Sequence, residues 1–316
     1  MSIASTENGR SSLWREIPKS TVLIMRSHSL HFYALSSLFL FPIFFILVVY
    51  PSFHLALFHP DYDFTIFDQL SLSSFEIVSL IMFTLSLALF FLCSVAAITH
   101  SAVQAFHDRP INFISSIKSI KNSFFPLLST LIVSLTIFIS IALALALFLL
   151  FLPQILRNLG LIELNNDSNH FWFSLILVLV PVLLWLQVNW SLAYAIAAVE
   201  SKYGFETLRR SAYLVKGMRW VAFWTHLFYG LVIGAMVIGT NVVFVLLGAA
   251  KGNNWRSFSV TSQIVQCTVL GALGMNQFLV LNVVLYMYCK DLNGEKLHFE
   301  YLSLPLEDDE KNHDVV

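Results

Sequence analysis

The sequence predicts an all-α fold: a polytopic bundle of six transmembrane helices with amphipathic helices lying along the cytosolic membrane surface. Three observations predict it. Charged residues fill 12% of 316 positions, about half the roughly 25% of soluble domains, while hydrophobic residues reach 57% and Phe alone contributes 29. The apolar residues gather into six runs, each long enough to cross a ~30 Å hydrocarbon core as a helix. Lys and Arg alternate between dense and sparse in the segments that join those runs. A soluble globule could not cover so much apolar surface. The composition excludes an ordinary soluble enzyme, a disordered chain and a nucleic-acid-binding protein. A β-barrel would need alternating ~10-residue strands, and the sequence has none.

Each element follows in order. Residues 1–29 form a basic segment with Arg10, Arg15, Lys19 and Arg26. It lacks an apolar stretch ahead of a small-residue cleavage site, so the first span reads as a retained signal-anchor. The membrane domain covers 30–290. Its spans lie near Leu30–Tyr50, Ile77–Ile98, Phe124–Leu152, Phe171–Val199, Val221–Ala249 and Ser262–Tyr288. The third, fourth and fifth are long for one crossing, which predicts tilt or an interfacial extension. Residues 291–316 form a tail that turns acidic at Glu307, Asp308, Asp309 and Glu310.

Cation partition sets the orientation. The segments on one side, both ends of the chain included, hold fifteen Lys and Arg; those on the other hold three. The positive-inside rule therefore places both termini in the cytosol. Carboxylates count little in this rule, so the acidic tail does not oppose it.

The cytosolic segments ahead of the odd-numbered spans mix basic and apolar residues. In the clearest, Tyr203 to Arg219, Phe205, Leu208, Ala212 and Val215 share one helical face while Lys202, Glu206, Arg209, Arg210 and Lys216 crowd the other. That pattern predicts an interfacial helix with its apolar face in the acyl boundary. Weaker versions surround Ile114, Ile117 and Ile120, and run from Trp14 to Arg26. Starts near Leu13, Ile111 and Tyr203 lie 98 and 92 residues apart. The chain reads either as three copies of one unit or as one six-span chain in which the orientation rule alone repeats the charges.

Little chemistry is encoded within the spans, which carry no Asp, Glu, Lys or Arg between the boundaries given above. Proton-coupled transport and membrane metalloenzymes need such groups, so neither is expected. No HExxH, P-loop or Gly-x-Ser-x-Gly occurs, and no cofactor or resident metal is expected. Gln187 and Asn189 follow Pro181 in the fourth span, and Asn276, Gln277 and Asn282 lie in the sixth. They either line a water-filled path or make interhelical hydrogen bonds of about 0.6 kcal/mol each; the second is favoured. Gly230, Gly234, Ala235 and Gly239 set small residues at four-residue spacing in the fifth span, as do Ala142 and Ala146 in the third. Packing within the chain is the favoured role, self-association or contact with another membrane protein the other. His54, His59, Asp61, Asp63 and Asp68 in the first outer loop fit a surface turn better than a metal site. The Asn166–Ser168 sequon lies too near the fourth span for efficient glycosylation. Of three cysteines, Cys289 beside Lys290 is a candidate for S-palmitoylation or for burial. Arg209, Arg210, Lys216 and Arg219 are candidate contacts for anionic lipid headgroups, each cation contributing about 1 kcal/mol at such a surface. Glu200 could pair with Lys202 or Arg209.

The stretch Trp190–Arg219, with Glu200, Gly204, Leu208, Arg209, Ser211, Leu214, Lys216, Gly217 and Arg219 at the marked positions, resembles a family of uncharacterised plant six-span membrane proteins. The exit of the last span, Leu281–Lys290, resembles it too. In layout the chain is more weakly similar to the membrane domain of bacterial glycerophosphodiester phosphodiesterases, without their soluble catalytic domain. The resemblance implies an endomembrane or plasma-membrane location and carries no activity to transfer.

The expected function is thus a non-catalytic membrane protein, a lipid-contacting scaffold or accessory in endomembrane organisation or signalling. The alternatives are a small-solute or lipid transporter with a polar path past Gln187 and Asn189, and a lipid-modifying enzyme using His100, His107 and Asp108.

Overall fold

A backbone inside hydrocarbon must satisfy its N–H and C=O groups within its own segment, and these apolar runs fold accordingly as helices. The computed structural model of the protein describes residues 7–58, 74–158, 168–246 and 258–295. Helix α1 (Glu7–Ser27) leads into α2 (Ser29–Leu35), which passes through a π-helical turn at Ser36–Leu40 into α3 (Phe41–Phe58). Then follow α4 (Ser74–Phe106), α5 (Phe113–Asn158), α6 (Ser168–Asn189), α7 (Ala193–Glu200) and α8 (Gly204–Leu214). A 3-10 turn at Val215–Gly217 connects α8 to α9 (Arg219–Leu246), and α10 (Phe258–Leu292) comes last. No strand occurs among the described residues.

Among the described residues, six segments are long and apolar enough to cross a membrane: Ser29–Tyr50, Ser74–Phe106, Phe113–Phe148, Leu177–Glu200, Arg219–Val243 and Thr261–Leu292. The predicted all-α, six-span class is therefore the observed one. The sixth span is the hub, packing on α1, α3, α4, α7, α8 and α9. Val284, Leu285 and Tyr286 of that helix are fully buried. The third span packs on α4, α6, α7 and α8 by one side, and little of its apolar length is fully buried: half-buried residues alternate with exposed ones such as Ile132, Leu135, Ile139 and Leu143. That exposure is the expected state of a lipid-facing helix, since lipid tails solvate Leu and Phe as well as a protein core does.

Helix–helix contacts are fixed by small residues and polar stitches. Gly271 of α10 meets the ring of Phe44 in α3, where an added Cβ would sit 2.7 Å from Cε1. Asn276 Nδ2 donates to the Phe32 carbonyl at 3.2 Å, and Ser36 Oγ donates to the Ala272 carbonyl at 3.4 Å. Both bonds tie the first span to the sixth across the π-helical turn.

The elements depart from the sequence reading in four places. The segment around Ile114–Lys121 is not a separate interfacial helix; it is the first part of the 46-residue α5. Its serines do not interrupt the helix: Ser116 and Ser119 return their hydroxyls to nearby carbonyls of their own chain segment, and Ser123 Oγ donates across to the Ala198 carbonyl of α7 at 3.2 Å. The N-terminal version, also read as weak, is the full 21-residue helix α1. Helix α8 does form, yet its inner face is not wholly the predicted one. Leu208 and Val215 pack into protein together with Gly204, Thr207, Ser211 and Leu214, whereas Phe205 is 65% exposed.

The fourth departure concerns the fourth span. Helix α6 continues past Pro181, and the span is broken at Trp190–Leu192, between α6 and α7. The break is held by one side chain from α8. Ser211 Oγ donates to the Asn189 carbonyl at 2.8 Å and accepts from the Leu192 N–H at 3.2 Å. Ser211 is fully buried, so a backbone interruption inside the apolar zone is closed by protein, as hydrocarbon requires.

Candidate functional site

The end of the bundle that carries α8 holds two groups of charged residues around that helix, one inward and one outward. The inward group begins with Glu200 at the last turn of α7. Ser201 follows in the left-handed conformation (φ 50°), which ends the helix and turns the chain toward α8. Gly204 opens α8 at φ +51°, and an added Cβ there would lie 3.1 Å from Ser129 Oγ and from Val133 Cγ2 of α5. A glycine is thus required both by backbone angle and by the close approach of α5.

Glu200 does not pair with Lys202 or Arg209, as the sequence reading expected. Lys202, in the linker ahead of α8, pairs instead with Glu206 in the first turn of α8 at 3.0 Å. Glu200 Oε1 accepts from the Tyr286 hydroxyl at 2.9 Å and from Lys290 Nζ at 3.2 Å, both on α10. Lys290 Nζ also donates to Tyr286 Oη at 3.3 Å. On the other side, Arg210 Nε lies 3.4 Å from Glu200 Oε2, an ion-pair distance without hydrogen-bond alignment. The Arg210 Nη2 group pairs with Glu295 just beyond α10. Burial works against the Arg210 charge, but Glu295 and Glu200 outweigh it, so its pKa is raised above the ordinary arginine value. Two carboxylates and two cations thereby neutralise one another where α7, α8 and α10 meet.

Of the four candidate lipid-headgroup contacts, Arg210 is committed to this inward cluster and is corrected to a structural role. Arg209, Lys216 and Arg219 are exposed. They stand among exposed aromatic side chains: Phe205, Tyr213, Trp220 and Trp224. Trp220 stacks on Phe223 at 5.5 Å between centroids and meets Trp224 edge-on at 6.0 Å. Aromatic rings with cations beside them at the ends of spans are the composition of a membrane–water interface. Chemically, this rim can hold anions.

The intramembrane polar residues do not converge. Gln187 and Gln277 face outward. Asn189 is buried and donates to its own helix at Trp185, while Asn276 bonds Phe32. Asn282 is buried, and its Oδ1 has no protein partner. Cys289 is fully buried within α10's packed face, which removes its thiol from acylation. The fifth-span glycines do not pack within the chain: an added Cβ at Gly230, Gly234 or Gly239 meets nothing within 4 Å. The favoured intramolecular role is corrected for them. The side chains of His54, His59, Asp61, Asp63 and Asp68, the Asn166 sequon and the acidic tail from 296 lie outside the described residues.

Sequence reasoning missed several residues that the structure brings together. His31 Nε2 lies 2.9 Å from Ser101 Oγ, which is 2.7 Å from Ser116 Oγ, joining α2, α4 and α5. Asp108, part of the enzyme alternative, is instead exposed in a left-handed turn, and His107 Nδ1 lies 2.9 Å from the Val103 carbonyl. Tyr286 and Lys290, four apart on one helix face, were a readable signal; Ser211 stood out only as a position of the Trp190–Arg219 resemblance, with nothing to indicate its partners.

A family model, that of a domain of unknown function (DUF8558), matches residues 16–313. No curated protein and no solved structure matches the chain.

Proposed function

The chain belongs to the DUF8558 family of unknown function, and from that premise we propose a non-catalytic, multi-pass membrane protein that contacts anionic lipids as a scaffold or accessory in endomembrane organisation or signalling. In this reading both termini are cytosolic and the basic rim faces the anionic leaflet. The observation that carries it is the division of labour between neighbouring arginines. Arg210 is neutralised inside the bundle, while Arg209, Lys216 and Arg219 stay exposed among aromatic residues. Cations retained without carboxylate partners at an aromatic rim have phosphate as their natural counterion. The resemblance to plant six-span proteins supports the endomembrane or plasma-membrane placement. The similarity to the membrane domain of bacterial phosphodiesterases supports a lipid-facing role without their chemistry.

The test uses the purified full chain in nanodiscs. Binding is compared between phosphatidylcholine alone and phosphatidylcholine doped with phosphatidic acid or phosphoinositide, with co-retained lipid counted by native mass spectrometry. Reversing Arg209, Lys216 and Arg219 to Glu should remove the anionic preference while leaving the melting temperature nearly unchanged. An anionic preference that survives the triple reversal would refute the proposal.

One observation favours a second reading, a transporter: the fourth span is discontinuous, and broken helices often frame substrate sites. Here, however, Ser211 closes the break, and Gln187 and Gln277 face away from the bundle. Solute flux through proteoliposomes that stops on Ser211→Ala would restore this reading over the first.

A further inference from the structure

The N-terminal helix α1 does not simply lie on the surface; it docks on the hub. Ile17 is fully buried, and Ser20 Oγ lies 3.2 Å from Tyr288 Oη of α10. Between α1 and α9 this docking leaves a furrow of about 460 Å³, inside the roughly 300–1,000 Å³ range of small-ligand sites. Ile17 and Pro18 form one wall, Val221, Trp224 and Phe228 the other, and Leu281 part of the floor. Among its described lining residues, Thr225 and Tyr229 alone bring side-chain oxygen atoms.

The furrow is placed by the first turns of α9. From Val221 to Tyr229 it follows about 12 Å of helix, most of the ~15 Å of hydrocarbon in one leaflet. It is open toward the lipid side, where Trp224 is 45% and Phe228 61% exposed. An apolar furrow opening into hydrocarbon fills with an acyl chain, because a void along its walls would forfeit their dispersion contacts. The charges at its upper end choose the headgroup. Arg219 precedes Val221 by two residues and Lys19 adjoins Pro18; both are exposed, with Lys216 close by in sequence. Glu16 is the opposing charge there, so cations outnumber carboxylates.

We propose that the furrow between α1 and α9 is a binding site for one anionic phospholipid, with an acyl chain along Val221–Tyr229 and the phosphate at Arg219 and Lys19. This rests on the anionic-lipid reading above and deepens it: the contact becomes a lipid held by its tail rather than a diffuse headgroup attraction. It also gives α1 a role, as the wall that turns an exposed helix face into a site.

The experiment uses the full chain in phosphatidylcholine nanodiscs doped with phosphatidic acid carrying a diazirine on its acyl chain, and in parallel with the matching phosphatidylcholine probe. After irradiation, crosslinked peptides are mapped by mass spectrometry. The expected result is adducts concentrated on residues 221–229 and on Ile17–Pro18, exceeding those on the outward part of α9 from Leu231 to Val242. Filling the furrow with Thr225→Trp should lower the adducts roughly fivefold, and Thr225→Leu by an intermediate amount, as loss of a few buried methylene contacts implies. The Leu variant keeps the test decisive where the Trp variant fails to fold. Adducts spread evenly along α9, or unaffected by either filling, would overturn the furrow even where charge reversal still abolishes anionic preference. Adducts concentrated in the furrow but equal for both probes, and insensitive to Arg219→Glu with Lys19→Glu, would leave a tail site and overturn its anionic specificity together with the reading it rests on.

Discussion

Ser211 shows how one hydroxyl can decide local structure. It donates to the carbonyl before the break in the fourth span and accepts from the N–H after it. Removing it orphans two buried backbone groups, each costing about 1–3 kcal/mol. Ser211→Ala should therefore lower stability by about 2–4 kcal/mol, read as the shift in thermal unfolding in detergent, with Ser211→Thr recovering part of it. Glu200 is the second such residue. It carries two hydrogen bonds and faces two cations with its side chain 13% exposed. Glu200→Ala leaves Lys290 and Arg210 without it and should cost about 3–5 kcal/mol, the range for breaking a buried pair. Glu200→Ala combined with Lys290→Met should cost less than Glu200→Ala alone. Glu200 was legible as an ion-pairing residue but its partners were not, and the role of Ser211 was not legible. Both depend on partners far apart in sequence, and the apolar patterning that exposes a helix says nothing about which polar atoms meet across it.

At the scale of the element, glycines separate packed faces from lipid-facing ones. Gly271→Ala drives a methyl into the buried Phe44 ring and should destabilise by about 1–3 kcal/mol through overpacking. Gly204→Ala combines a left-handed backbone with contacts at 3.1 Å and should cost at least about 1–2 kcal/mol. Gly230→Ala and Gly234→Ala meet open space, so they should leave thermal stability unchanged or slightly raised. A measured loss at Gly230 would point to a partner helix seated there. Helix existence was readable because hydropathy is a property of whole segments. Helix ends were less so. The second span runs on through Thr99, Ser101 and Gln104 to Phe106, since hydroxyls that bond back to their own helix do not stop it. The break at Trp190–Leu192 has no Gly or Pro to announce it, whereas Pro181, which does announce a kink, leaves the helix unbroken.

For the whole molecule, cation partition predicts a single orientation. Tags at either end of the chain should be reached by protease only when sealed vesicles are opened from the cytosolic side, and a tag digested from the opposite side would reverse the arrangement. The six-span class was legible; the identity of the hub was not. The sixth span has lower hydropathy than four of the other five. It is central because Gly271, Asn276 and Tyr286 each meet a different partner, a matter of side-chain shape that averaging over a window erases. That the hub follows the other five spans in the chain has a consequence for biogenesis. About 200 residues separate α3 from α10, and at about 5–20 residues per second a ribosome takes ~10–40 s to make them. Throughout that interval the spans already made sit in the bilayer with no keystone; Phe32 and Phe44, and later Glu200, await partners still unsynthesised. A nascent chain in that state is a substrate for whatever insertase or membrane chaperone shields polar helix faces, and its yield should depend on that factor more than the yield of a bundle whose centre is translated first.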